Sequence, residues 1–176
     1  IANAQIDYIP GCAELGDFDA TSTTVGLDPA GELGRLPEPE LHNTFERYFT
    51  YFRDRLTDTT VINYTPYEAR IIGSFVQLGQ KERARELLEF LMRDRRPAAW
   101  NHWAEVVWRN PRMARFIGDM PHTWVGSDFL RSVLAMFCYE RDSDGAHLLA
   151  SGIPDQWIQG PRGVGVENLP TIHGLI

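Results

Sequence analysis

The clearest repeating pattern in the chain is an apolar stripe at helical spacing between Leu41 and Leu56. Apolar side chains recur there every three or four positions, whereas Arg47 and Asp54 fall off the stripe. This pattern predicts an amphipathic helix with one face in a core. The stripe consists of Leu41, Phe45, Tyr48, Phe49, Phe52 and Leu56.

A second helix is predicted to begin at the sequence Thr65-Pro66-Tyr67-Glu68. Threonine as N-cap, proline in the first position and glutamate three residues after the cap form a capping box, which explains Glu68 without catalysis. The helix is expected to end at Gly79, and another amphipathic helix follows over 81–93. Because short links join antiparallel neighbours, these two helices should form an αα-hairpin.

The stretch 115–140 joins a polar, aromatic loop to a strongly apolar segment. From about Ser127 the segment is apolar on nearly every side, which predicts a helix buried inside the protein. The loop before it should therefore bring its side chains to the mouth of an enclosed space. These side chains are Asp119, His122, Trp124 and Asp128.

The first 36 residues show neither a clean helical nor a clean strand pattern. Three carboxylates lie within six residues, at Glu14, Asp17 and Asp19. Either Asp17 or Asp19 serves as a helix N-cap, or the loop faces a substrate, and the pattern favours neither alternative.

After residue 142, short apolar or alternating runs separated by glycine and proline predict strands. The runs cover 146–150, 157–158 and 164–169, and a last one at 175–176 has no evident partner. We therefore expect two parts, a helical-hairpin region over 1–142 and a β-strand segment over 143–176 that begins a β-sandwich.

Composition and charge exclude several classes of function. The net charge of −7 does not fit a nucleic-acid-binding face. No apolar run approaches the roughly 18 residues that a membrane span requires. The sequence also lacks an EF-hand, an HExxH pattern, a GxSxG elbow and a glycine-rich phosphate loop, so we predict no metal site and no serine hydrolase triad.

Loops at one end of a helical-hairpin array share a surface. The loops before Thr65, near Trp100 and before Ser127 should emerge at the same end, together with loop 12–24. Carboxylates among tryptophans and tyrosines suit sugar recognition, because aromatic faces stack on pyranose rings. One carboxyl group with a raised pKa can then protonate the leaving oxygen while another acts as base or nucleophile.

Glu105, flanked by tryptophans, is the best candidate for the acid, and Asp119 and Asp17 are the other catalytic candidates. Each has a structural alternative: Glu105 as a surface carboxylate on a short helix, Asp119 as a turn residue and Asp17 as a cap. His122 fits a hydrogen-bonding loop histidine better than a metal ligand. The candidate substrate-binding residues are Glu14, Asp19, Tyr67, Trp100, Asn101, Trp103, His122, Trp124 and Asp128.

Several segments resemble the C-terminal part of bacterial six-hairpin glycosidase-like proteins. They are YIPGCAELGDFDATST, NYTPYEAR, RRPAAWNHWAEVV, GDMPHTWVGSDFLRSVLAMFCYE, LLASGIPDQWI and GVGVENLPT. The resemblance implies an (α/α)₆ toroid followed by a β-sandwich, a carbohydrate substrate, carboxylate catalysis and no obligatory cofactor. A toroid has twelve helices and this sequence predicts about five or six, so the remaining hairpins are expected in the rest of a larger polypeptide. A secreted or periplasmic bacterial protein is the expected setting.

Two other interpretations of the function remain open. The 67–93 hairpin resembles a tetratricopeptide unit, although no second copy follows at a period near 34 residues. The chain is alternatively a sugar-binding module that has an aromatic platform without catalysis.

Overall fold

The structure, a computed structural model, describes residues 5–57, 63–114 and 116–176. The chain is mainly α-helical, as the sequence predicts, with few and short strands. The helices are α1 (Ala20–Leu27), α2 (Glu40–Thr57), α3 (Ala69–Gln77), α4 (Lys81–Asp94), α5 (Thr123–Phe137) and α6 (Asp155–Ile158), with 3₁₀ turns at Pro66–Glu68 and Ala98–Trp100.

The described strands form two-stranded antiparallel pairs rather than one sheet. The strand pairs are β1 (Asn63–Tyr64) with β2 (Val107–Trp108), β3 (Cys138–Arg141) with β4 (Ala146–Leu149), and β5 (Pro170–Thr171) with β6 (Gly174–Leu175).

Helix α2 matches its predicted span to within a residue at each end, and its stripe packs into the core. Leu41, Phe45 and Phe52 are fully buried. The last turn departs from the pattern, because Leu56 is 43% exposed whereas the preceding Arg55 is only 2% exposed. An ion pair to Glu68 draws the Arg55 side chain inward.

Helices α3 and α4 form the predicted hairpin. The Thr65 hydroxyl accepts a 3.3 Å hydrogen bond from the backbone amide of Tyr67, which confirms the N-cap. Gly79 adopts a φ of +72° after α3, a left-handed conformation that glycine adopts without strain. The predicted capping box is incomplete, because the Glu68 carboxylate is buried against Arg55.

Helix α5 begins earlier than predicted, at Thr123, and it is not buried on every side. Asp128 and Ser132 lie on its buried face, whereas Leu130 is 59% exposed. A Cβ atom placed on Gly73 of α3 would lie 3.3 Å from the Ser132 hydroxyl oxygen, so α3 and α5 approach closely there. Small and polar residues make this contact. For this reason the apolar composition of α5 wrongly predicted that the helix is buried on every side.

Helix α1 lies in the N-terminal region where the sequence showed no clean element. Its sequence is rich in threonine and serine and lacks an apolar stripe. It begins where the Asp19 carboxylate accepts hydrogen bonds from the backbone amides of Thr21 and Ser22. A side-chain cap, rather than amphipathic periodicity, identifies this helix.

The C-terminal region differs from the prediction in three places. Residues 157–158 are in α6 and not in a strand, and 164–169 form no strand. The terminal strand does have a partner, because Leu175 pairs with Pro170. The β3–β4 hairpin spans residue 142, and the division of the chain at that point stays a prediction.

Two further findings concern the helices and the central loop. Among the described residues, no helix combines the length and apolar character that crossing a bilayer requires. Position 115, where the predicted loop begins, lies outside the described residues.

Candidate functional site

Three aromatic side chains from two elements meet at the start of α5. Tyr67 lies in the 3₁₀ turn that Thr65 caps, while His122 is the N-cap of α5 and Trp124 follows in its first turn. The Tyr67 ring contacts the His122 ring edge-on at 5.3 Å and the Trp124 ring at 5.8 Å. The Tyr67 hydroxyl group lies 3.4 Å from Nε2 of His122. We call Tyr67, His122 and Trp124 the aromatic cluster.

An ion pair between α3 and α5 supports this aromatic cluster. Nε of Arg70 donates a 2.8 Å hydrogen bond to Oδ2 of Asp128, and Asp128 is only 6% exposed. The Arg70 guanidinium carbon lies 4.9 Å from the centre of the Tyr67 ring and 5.8 Å from that of Trp124. Asp128 thus holds a cation against both rings.

Glu105 and Asp119 are brought together by two chain segments that run antiparallel. The backbone amide of Glu105 donates a 3.0 Å hydrogen bond to the Asp119 carbonyl oxygen, and that of Gly118 donates a 2.9 Å bond to Val106. A Cβ atom on Gly118 would lie 3.0 Å from the Val106 nitrogen, so the close approach needs glycine. Glu105 is half-buried and Asp119 is exposed.

These two segments also join the aromatic cluster. The Thr65 hydroxyl donates a 2.7 Å hydrogen bond to the carbonyl oxygen of Glu105, and the His122 amide donates a 2.9 Å bond to that of Trp103. Desolvation, followed by the negative charge of Glu105, raises the pKa of the Tyr67 hydroxyl group. The carboxylate of Glu105 therefore acts electrostatically on the aromatic cluster.

Trp103 is part of the core rather than of an open platform, and its contact with substrate stays a prediction. The side chain is 6% exposed, and its ring lies 5.0 Å from that of Phe129. Its carbonyl oxygen instead positions His122.

Trp100 and Asn101 are exposed beside the site-forming segments. Trp100 is 65% exposed, and Asn101 has a φ of +49° at a left-handed turn. Within the described residues, neither side chain forms a hydrogen bond or ring contact with Tyr67, His122 or Trp124.

The acidic side chains of loop 12–24 form hydrogen bonds with groups of the same loop and of α1. Oδ1 of Asp17 accepts a 2.8 Å hydrogen bond from the Cys12 amide, and Oε2 of Glu14 lies 3.1 Å from the Cys12 sulfur atom. Burial opposes ionisation of Asp19, yet hydrogen bonds from Ser22 and Thr21 lower the pKa of its carboxyl group. Asp19 is the N-cap of α1, and Asp17 closes the loop.

Arg70 and the buried pair of Arg55 and Glu68 were not predicted from the sequence. Both oxygens of Glu68 bind Arg55, and Oε2 also accepts a 2.5 Å hydrogen bond from the Tyr48 hydroxyl group. One feature of the sequence could have identified Arg70 as part of the site. It lies three residues after Tyr67 and therefore shares its helical face.

The described ranges contain no group of three or more His, Cys, Asp and Glu side chains arranged to hold a metal ion. No protein-family model, curated protein or solved structure matches the chain.

Proposed function

We propose that the aromatic cluster binds a carbohydrate and that the chain is part of a glycoside hydrolase. The observation that carries the proposal is the Trp124 indole, which is 63% exposed and is braced by Tyr67 and Arg70. A large exposed ring held in one orientation offers a stacking surface at low entropic cost.

The charges around this ring favour a neutral sugar over a phosphate ligand. Arg70 is already paired with Asp128, whereas Glu105 and Asp119 add negative charge nearby. A phosphorylated ligand or nucleic acid would meet net repulsion there. Carboxylate oxygens instead accept hydrogen bonds from sugar hydroxyl groups.

Glu105 and Asp119 are the proposed acid and base. Glu105 is half-buried next to Tyr67, and in this proposal its carboxyl group donates the proton to the leaving oxygen. Asp119 is exposed and can reach a water molecule or the sugar.

In this proposal the α3–α4 hairpin and α5 belong to an (α/α)₆ toroid, and the rest of a larger polypeptide supplies the other helices. Leu130 and Leu134 lie one turn apart on α5 and are both exposed, and a further helix of the toroid would cover these two side chains. The loops that precede α3 and α5 would then line the rim of the toroid.

Titration of ¹⁵N-labelled protein with neutral hexose, pentose and N-acetylhexosamine oligosaccharides tests the proposal. We expect at least one sugar to shift the backbone amides of Glu105, Asp119 and His122 and the indole N–H of Trp124. Shifts confined to other parts of the chain, or no shifts with any sugar at millimolar concentration, would refute it.

A further inference from the structure

A second concave surface includes Thr65 and Glu68 but none of the side chains of the aromatic cluster. It is a cleft of about 320 Å³ between the start of α1, the middle of α2 and the Thr65–Glu68 segment. Side chains along the cleft include Asp19, Thr21, Tyr51 and Thr65. It is separate from the contacts that Trp124 makes.

One wall of the cleft is an exposed aromatic ring with a fixed support. Tyr51 is 45% exposed, and the guanidinium carbon of Arg55 lies 5.1 Å from its ring centre. Arg55 is itself 2% exposed and is held by Glu68. A ring braced by a buried, paired cation has little freedom to lose when it stacks on a ligand.

The cleft offers hydroxyl groups, aromatic surface and two carboxylates whose oxygens already have partners. The buried carboxylate of Glu68 is neutralised by Arg55, and the Asp19 carboxylate accepts the hydrogen bonds that cap α1. A phosphate would be repelled by the negative charge of Asp19, and a metal ion would find one carboxylate whose oxygens are already hydrogen-bonded. A neutral molecule with hydroxyl groups and one apolar face fits these walls.

The cleft is also connected to the proposed acid. Thr65 lines the cleft, and its hydroxyl group donates the 2.7 Å hydrogen bond to the Glu105 carbonyl oxygen. Tyr67 of the aromatic cluster lies two residues further on, a backbone span of at most about 7 Å. One extended ligand can therefore contact both surfaces across Thr65.

We infer that the cleft beside Tyr51 is a subsite for a second sugar ring, so that the ligand is an oligosaccharide and not a single sugar. The inference rests on the proposed function. Tyr51 stacks on the second ring, while the aromatic cluster binds the first.

Calorimetric titration with a methyl glycoside and with the matching tetrasaccharide, using a sugar that binds the wild-type chain, tests the inference. Tyr51→Ala should weaken tetrasaccharide binding by about tenfold, equivalent to about 1.4 kcal/mol, and leave binding of the methyl glycoside unchanged. Leu56→Ala is the matched control, because Leu56 is on the same helix and 43% exposed but does not line the cleft. The control should bind both ligands like the wild type.

Amide shifts in the unmodified chain give a readout that needs no variant. The amides of Thr21 and Ser22 should respond to the tetrasaccharide and not to the methyl glycoside. An equal loss of affinity for both ligands in Tyr51→Ala would overturn the subsite and leave the proposed function standing. Unshifted amides of Thr21 and Ser22 in the presence of bound tetrasaccharide would do the same. Failure of every sugar to bind the wild type would overturn both.

Discussion

The backbone amide of Glu105 donates a 3.0 Å hydrogen bond to the carbonyl oxygen of Asp119. Fourteen positions of sequence separate these residues, yet the antiparallel pairing of their segments places them side by side. Both carboxyl groups therefore start from one rigid backbone unit, to which the Thr65 hydroxyl group also binds.

This arrangement predicts the effect of removing the acid. Glu105→Gln should lower kcat on a cleaved glycoside by about 10²–10⁴-fold with a small change in KM, because general acid–base catalysis contributes about that much. Release of reducing sugar measures the rate.

The exposed Glu167 provides the control, since Glu167→Gln makes the same chemical change far along the chain. Unchanged turnover in Glu105→Gln would show that Glu105 is not the catalytic acid. Sugar binding without any turnover in the wild type would favour a binding module.

The buried pair of Arg55 and Glu68 should be costly to break, because either group alone would be a buried charge without a partner. Glu68→Gln or Arg55→Met alone should each lower the free energy of unfolding by about 3–5 kcal/mol, because each leaves a buried group without its counter-charge. The double variant should cost less than the sum of the two single variants. Denaturant titrations provide these values.

An exposed pair from the same helix gives the comparison. Arg53 binds Glu86 at 2.8 Å, but its side chain is 56% exposed, so Glu86→Gln should cost only about 0–1 kcal/mol. Equal losses in Glu86→Gln and Glu68→Gln would show that burial of the Arg55 pair does not matter.

Gly152 lies in a close contact between the C-terminal region and the helices α3 and α5. A Cβ atom there would lie 2.6 Å from Cγ2 of Val76 and 2.8 Å from Cα of Met136. Gly152→Ala should therefore lower the free energy of unfolding by about 1–3 kcal/mol through overpacking.

Gly165→Ala is the matched substitution, because nothing lies within 4 Å of its added Cβ atom. It should change stability little, as thermal unfolding will report. A Gly152→Ala variant as stable as Gly165→Ala would contradict the packing of Gly152 between α3 and α5.

Local signals explain the elements that the sequence predicted well. The stripe from Leu41, the cap at Thr65 and the stop at Gly79 each act within a few residues, so α2, α3 and α4 have nearly the predicted bounds. Helix α1 lacks such a stripe, and the short run at 157–158 has too few residues to distinguish strand from helix.

The candidate site was only partly predictable for a different reason. Loops entering antiparallel helices meet at one end, and this rule placed Tyr67 with His122 and Trp124. The same rule does not predict that the Trp103 ring packs against Phe129 in the core. The contact between Arg70 and Asp128 joins positions 58 residues apart and depends on how α3 packs on α5.

Binding of one oligosaccharide to two tryptophan variants tests the central claim most directly. Trp124 and Trp100 are 63% and 65% exposed, but of these two described tryptophans only Trp124 contacts the Tyr67 ring. In calorimetric titrations, Trp124→Ala should lose at least about tenfold in affinity and Trp100→Ala should bind like the wild type. Wild-type affinity in Trp124→Ala would contradict the account.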